Sequence, residues 1–115
     1  MKTARAPKYR NIKCEWQGEK FDSKAELKRF LELWALLEAG EIIELQRQPK
    51  FILVKKIELD GRTKPAIRYV ADFEYLTKSG QRIIEDVKGV ITPIYRLKRH
   101  LLKAIHGLEI TEIKK

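Results

Sequence analysis

The alternation of apolar and polar residues divides the chain into two helical stretches with strand-like segments between and around them. From Ser23 onward the apolar positions recur at helical spacing. Glu26, Phe30, Leu33 and Leu37 fall within about a 60° arc, which puts a carboxylate at the end of an apolar stripe. Ser23 is a good N-cap, Glu26 three residues on completes a capping box, and Gly40 is a natural stop after Ala39. A second helix opens at Thr92-Pro93, with Thr92 as N-cap and proline at the first helical position, and ends at Gly107. Its stripe of Ile94, Leu97, Leu101 and Ala104/Ile105 is expected to pack on a sheet. Arg96, Arg99, His100 and Lys103 fall away from that stripe.

Elsewhere the period shortens to that of strands. Residues 41–48 and 51–58 read as strands on either side of Pro49, Asp60-Gly61 as a turn, and residues 62–65 as loop. Residues 67–76 and 82–88 are expected to form a hairpin about Ser79-Gly80, residues 14–21 a short hairpin about Gln17-Gly18, and residues 108–113 a last strand. The expected organisation is one α/β domain over residues 13–115 behind a basic flexible arm at 1–12. The element order is α, several strands, α, β.

Composition narrows the class. A chain of 115 residues with 43% hydrophobic and 36% charged residues has enough apolar material for one core and is not of disordered type. The longest apolar run, Leu33 to Leu37, is far too short to span a membrane, and residues 1–20 lack the apolar region of a secretory signal. One cysteine, Cys14, forms neither an internal disulfide nor a thiolate metal cluster, so a cytoplasmic setting is expected.

The net charge of +9 is segregated. Residues 1–20 carry a net +4 and residues 88–106 a net +5 with no acid, while basic and acidic residues balance elsewhere. Two concentrated basic segments point to a polyanion. Neither has the aromatic-rich apolar face of an interfacial helix, so nucleic acid is preferred over anionic lipid.

Candidate chemistry centres on Asp72, in the strand-like run Tyr69 to Phe73, and on Glu85-Asp86-Val87-Lys88-Gly89. Residues i and i+2 of a strand share a face, so Asp86 and Lys88 point together and Glu85 points away. A carboxylate beside an ammonium, facing a second carboxylate from the neighbouring strand, suits a site that holds Mg²⁺ and activates water against a phosphodiester. The same residues also fit a solvated sheet face with cross-strand ion pairs, and Glu26 also fits as the N-terminal partner of Ser23.

The order of these pieces resembles the PD-(D/E)xK nuclease superfamily. More narrowly, the runs Phe21–Glu26, Leu45–Phe51, Tyr69–Phe73, Glu85–Gly89 and Tyr95–Lys98 are similar to a small phage-associated nuclease family within it, one resembling Holliday-junction resolvases. The resemblance spans roughly residues 8–113. It departs from the superfamily pattern where Ala71, not proline, precedes Asp72. It implies a restriction-endonuclease-like αβββαβ core, with a mixed central sheet flanked by two helices. It further implies catalytic roles for Glu26, Asp72, Asp86 and Lys88. Asp72, Asp86 and the backbone carbonyl of Val87 would ligate Mg²⁺ or Mn²⁺. Lys8, Arg10 and Lys13 on the arm, with Arg96, Lys98, Arg99 and Lys103 on the second helix, would bind DNA phosphates. The expected activity is metal-dependent endonuclease cleavage of DNA, branched DNA by analogy, in phage or mobile-element recombination or replication, by a homodimer. The rival expectation is a non-catalytic DNA-binding or recruitment module that keeps the fold. An RNA target also fits the phosphate contacts.

Overall fold

The hairpin at the start of the described chain is held by its turn. β1 (Cys14–Trp16) and β2 (Glu19–Phe21) pair antiparallel across Gln17 and Gly18, both left-handed with φ of 48° and 82°, the geometry that matches strand twist in two-residue hairpins. The structure is a computed structural model that describes residues 14–115. The arm, with Lys8, Arg10 and Lys13, lies outside the described residues.

α1 (Lys24–Glu38) begins where the sequence expects, with the Ser23 hydroxyl accepting from the Glu26 N–H at 3.1 Å. Gly40 follows the C-cap in the left-handed region with φ of 76°, which costs glycine nothing sterically. The helix buries Glu26, Phe30 and Leu33, the stripe anticipated from their spacing. Trp34 sits at the rim, meeting the Trp16 ring edge-on at 6.0 Å.

The expected break at Pro49 is matched by one in the segment over 67–76, which is expected from its sequence to be a single strand. β3 (Ile42–Arg47) and β4 (Lys50–Val54) are separated by Gln48-Pro49, while β7 (Ile67–Val70) and β8 (Phe73–Thr77) are separated by Ala71-Asp72. Pro49 has no N–H for the ladder, and Gln48 takes a left-handed φ of 53°. The chains stay stitched across the break, with Gln48 N–H donating to Asp72 C=O at 2.9 Å and Ala71 N–H to Pro49 C=O at 3.1 Å. Asp72 therefore lies in a bend, not inside a strand over 67–76.

The expected strand over 51–58 likewise ends at Val54. Residues 57–64 form a separate hairpin of β5 (Ile57–Leu59) and β6 (Arg62–Lys64), so the segment expected as loop is mostly strand. Its turn, Asp60-Gly61, has φ of 52° and 72°, and such a turn sets its flanks in register.

β9 (Arg82–Lys88) runs antiparallel to β8, and β10 (Ile110–Lys114), after α2 (Pro93–His106), runs parallel to β9. The result is a mixed four-stranded sheet in the order β10-β9-β8-β3 with two helices, an α/β architecture. The helices take opposite faces of β9. Ile83 and Val87 pack in the cluster of α1 with Phe73 and Tyr75, whereas Ile84 joins that of α2 with Phe51 and Tyr69, as strand alternation requires.

The expected stripe of α2 is the wrong edge of the helix. Tyr95 and Leu102 are buried and Leu101 is partly so, while Ile94, Leu97 and Ile105 are 62%, 56% and 50% exposed. Tyr95 turns the helix: its ring packs on Tyr69 and its hydroxyl reaches β10, and a tyrosine does not register in a count of aliphatic positions. Among the described residues no helix is long and apolar enough to cross a membrane.

Candidate metal and phosphate site

The bend at Pro49 and Asp72 is what builds the site. Where β8 meets β9 the ladder slips: Asp72 N–H donates to Glu85 C=O at 3.1 Å, and Asp72 Oδ2 accepts the Val87 N–H at 2.7 Å. A side-chain carboxylate thus replaces a backbone acceptor at the end of β9. Val87 enters through its N–H, one residue from both Asp86 and Lys88.

Asp86 is 3% exposed, and its Oδ2 lies 3.5 Å from Lys88 Nζ without a hydrogen-bond partner. Lys88 in turn rests over the Tyr95 ring, 4.0 Å from its centroid, a cation–π contact that orients the ammonium. Lys88 is the shared neighbour of the two strand acids, for its charge favours ionisation of both Asp72 and Asp86. Burial outweighs that help. It pushes the Asp86 carboxyl up to about 6 and raises Asp72 as well, the latter held back by the Val87 N–H.

Glu26 adds a third carboxylate from the first turn of α1. It is 4% exposed, and burial, then the Asp72 and Asp22 charges, push it up to about 7. Its Oε1 has no hydrogen bond and lies 3.5 Å from Arg47 Nη2. That arginine packs on the Phe21 ring at 3.9 Å, donates to the Lys20 carbonyl at 2.8 Å, and has its Nε buried without an acceptor. Among the described residues no three His, Cys, Asp or Glu side chains converge into a ready metal cage. Two buried carboxylate oxygens, Glu26 Oε1 on the α1 side and Asp86 Oδ2 beside Lys88, each lack a hydrogen bond, a costly condition of the kind that a hard, oxygen-seeking cation would relieve.

With that geometry in hand, the family can be stated. The family model described as "Protein of unknown function (DUF1064)" matches residues 6–114. The chain belongs to that family. No curated protein and no solved structure matches it.

The α2 cations divide into two kinds. Arg99 Nη1 donates to Glu112 Oε2 at 2.5 Å and Lys103 Nζ to Glu109 Oε2 at 3.1 Å. Arg96 and Lys98 have no acidic partner among the described residues, with Arg96 the more exposed. Tyr95 acts in packing, and its hydroxyl donates to Glu112, the bond that chiefly lowers the Glu112 carboxyl. Gln46 and Gln48 are exposed on the edge strand and its bend.

Sequence reading passed over Arg47 and the group behind the site. Glu85, 1% exposed, accepts from Arg29 Nε and Nη2, both at 2.7 Å, and from the Tyr75 hydroxyl at 2.5 Å. Burial and that carboxylate push Tyr75 up to about 12, and the Glu85 hydrogen bond raises Arg29. The signal was available: Glu85 alternates away from Asp86 and needs a cation on the α1 face.

The raised carboxyls set a pH dependence. Folded, Glu26 and Asp86 hold protons that the unfolded chain has already released between about pH 4 and pH 7, so metal-free stability falls as pH rises through that window. A cation needs the ionised carboxylates. Millimolar Mg²⁺ is expected to raise the melting temperature by several degrees at pH 8 and hardly at all at pH 5. Equal shifts at both pH values in a thermal melt would rule out these ligands.

Proposed function

We propose that the protein is a metal-dependent endodeoxyribonuclease with the restriction-endonuclease-like αβββαβ core. The observation that carries this reading is the Lys88 ammonium set against Asp86, and near Asp72, beside buried carboxylate oxygens that no hydrogen bond satisfies. Asp72 and Asp86, with the Val87 carbonyl, would hold Mg²⁺ or Mn²⁺. Such an ion offsets the charge that builds on the phosphate and makes water more acidic. Lys88, oriented by Tyr95, positions the attacking water and stabilises the developing negative charge. Glu26, which ionises near neutral pH, can take up a proton at Oε1. Arg96 and Lys98 offer phosphate contacts from α2, and Arg99 and Lys103 would do so only by sharing themselves with Glu112 and Glu109. No covalent intermediate is required. A branched substrate, and a homodimer cutting two strands in phage or mobile-element recombination in the cytoplasm, remain parts of the same proposal by analogy.

The decisive assay incubates purified protein with supercoiled, four-way-junction and RNA substrates, with Mg²⁺, with Mn²⁺ or with EDTA. Nicking of DNA that needs the divalent ion is the expected result. Among the described residues the carboxylates do not gather into a trio, which favours one rival, a non-catalytic DNA-binding module. DNA binding without nicking in either metal would establish that rival and reject the nuclease.

A further inference from the structure

The hairpin of β5 and β6 stands apart from both cores, and its two strands pack chiefly on one another. All its residues are exposed. The register places Ile57 opposite Lys64 and Leu59 opposite Arg62. Side chains alternate along each strand, so these four share one face, while Glu58 and Thr63 share the other. One side of the ribbon therefore carries two cations and two branched apolar residues, with Ile57 45% and Leu59 53% exposed, and the hairpin's strand acid is turned away.

The charge on this ribbon is available. Lys55, Lys56, Arg62 and Lys64 have no ion-pair partner among the described residues, whereas Arg99 and Lys103 of α2 are paired. Counting along the chain hid this, because Glu58 and Asp60 offset two of these cations in sequence without forming an ion pair with them.

We propose that the β5–β6 hairpin is a second nucleic-acid contact, a basic ribbon that enters a groove of duplex DNA. The Arg62 and Lys64 face meets phosphates, and Ile57 and Leu59 meet sugars and base edges. A two-stranded ribbon matches the width of the major groove, about 12 Å. Two aliphatic side chains bury too little surface to anchor a membrane, which leaves a polyanion with grooves as the better complement. The ribbon ends at Lys64, eight residues before Asp72 along a nearly extended chain, a reach of at most about 27 Å from that end. That is less than one duplex turn of about 34 Å, so one duplex can touch both places. The inference rests on the DNA reading of the domain but not on the metal or the carboxylates.

The test is duplex binding by the full chain in EDTA, followed by fluorescence anisotropy across a salt series. Wild type is compared with Arg62→Ala/Lys64→Ala, Arg62→Glu/Lys64→Glu, Ile57→Ser/Leu59→Ser and the control Lys78→Ala. The alanine pair is expected to weaken binding about tenfold and lower the salt slope by about 2, and the glutamate pair to weaken it further. Lys78→Ala should bind as wild type. Variants with wild-type affinity and slope would overturn the proposal, as would a wild type that binds anionic vesicles and no duplex. A protein that binds through the hairpin yet cleaves nothing sinks only the nuclease reading. One that cleaves normally with an inert hairpin sinks only this inference.

Discussion

Asp86→Asn is expected to reduce Mg²⁺-dependent cleavage by roughly a thousandfold or more, while DNA affinity stays within a few-fold of wild type. The carboxylate is buried beside Lys88 with one oxygen unsatisfied, so its ionised form is maintained at a cost. Burial holds its carboxyl up at about 6, above the ordinary range. At pH 8 the unfolded chain ionises this group in water and the folded chain ionises it in the interior. A neutral asparagine removes that cost, so metal-free stability at pH 8 should hold or rise as activity disappears. Lys88→Ala should lose about a hundredfold to a thousandfold in rate. Nicking assays beside thermal melts would check both; retained cleavage, or lost cleavage only through unfolding, would remove Asp86 and Lys88 from the chemistry.

Glu85→Ala is expected to cost about 3–5 kcal/mol of stability, because it strands a half-buried guanidinium and a buried phenol. Glu85 lies one residue from Asp86 on the opposite face, and its carbonyl accepts the Asp72 N–H. The Arg29 clamp therefore anchors to α1 the strand that presents Asp86 and whose backbone holds Asp72. Replacing both partners with apolar residues of similar size, as in Arg29→Met/Glu85→Leu, should recover most of the loss. Denaturant unfolding of the single and double variants gives the coupling directly. A single-variant loss below about 1 kcal/mol would mean the pair is not shielded from water.

These effects separate what is local in this protein from what is not. Local rules sufficed for the Ser23 cap, the Gln17-Gly18 turn, the Thr92-Pro93 start and the Gly107 stop, since each depends on residues within one or two turns. The period-2 reading of β9 also separated Asp86 and Lys88 from Glu85 without any coordinates. The same local logic marked the Asp60-Gly61 turn but not the hairpin around it, since Arg62 to Lys64 read as loop with no apolar residue to mark a strand.

Three features were beyond that reach. Aliphatic spacing defines a stripe on α2, yet the burial of Tyr95 against Tyr69 rotates the helix and leaves Ile94 and Leu97 in water. The bend at Asp72 faces Pro49, between β3 and β4, which has no donor to give to the ladder. Arg29 meets Glu85 across 56 positions of sequence. Residue order alone thus determined the two helices with their caps, the Gln17-Gly18 turn and the pairing of acid with lysine, because those follow from backbone geometry over a few residues. The burial that raises Glu26 and Asp86, and the company each charge keeps, were decided only in three dimensions, where distant segments displace water from the same carboxylates.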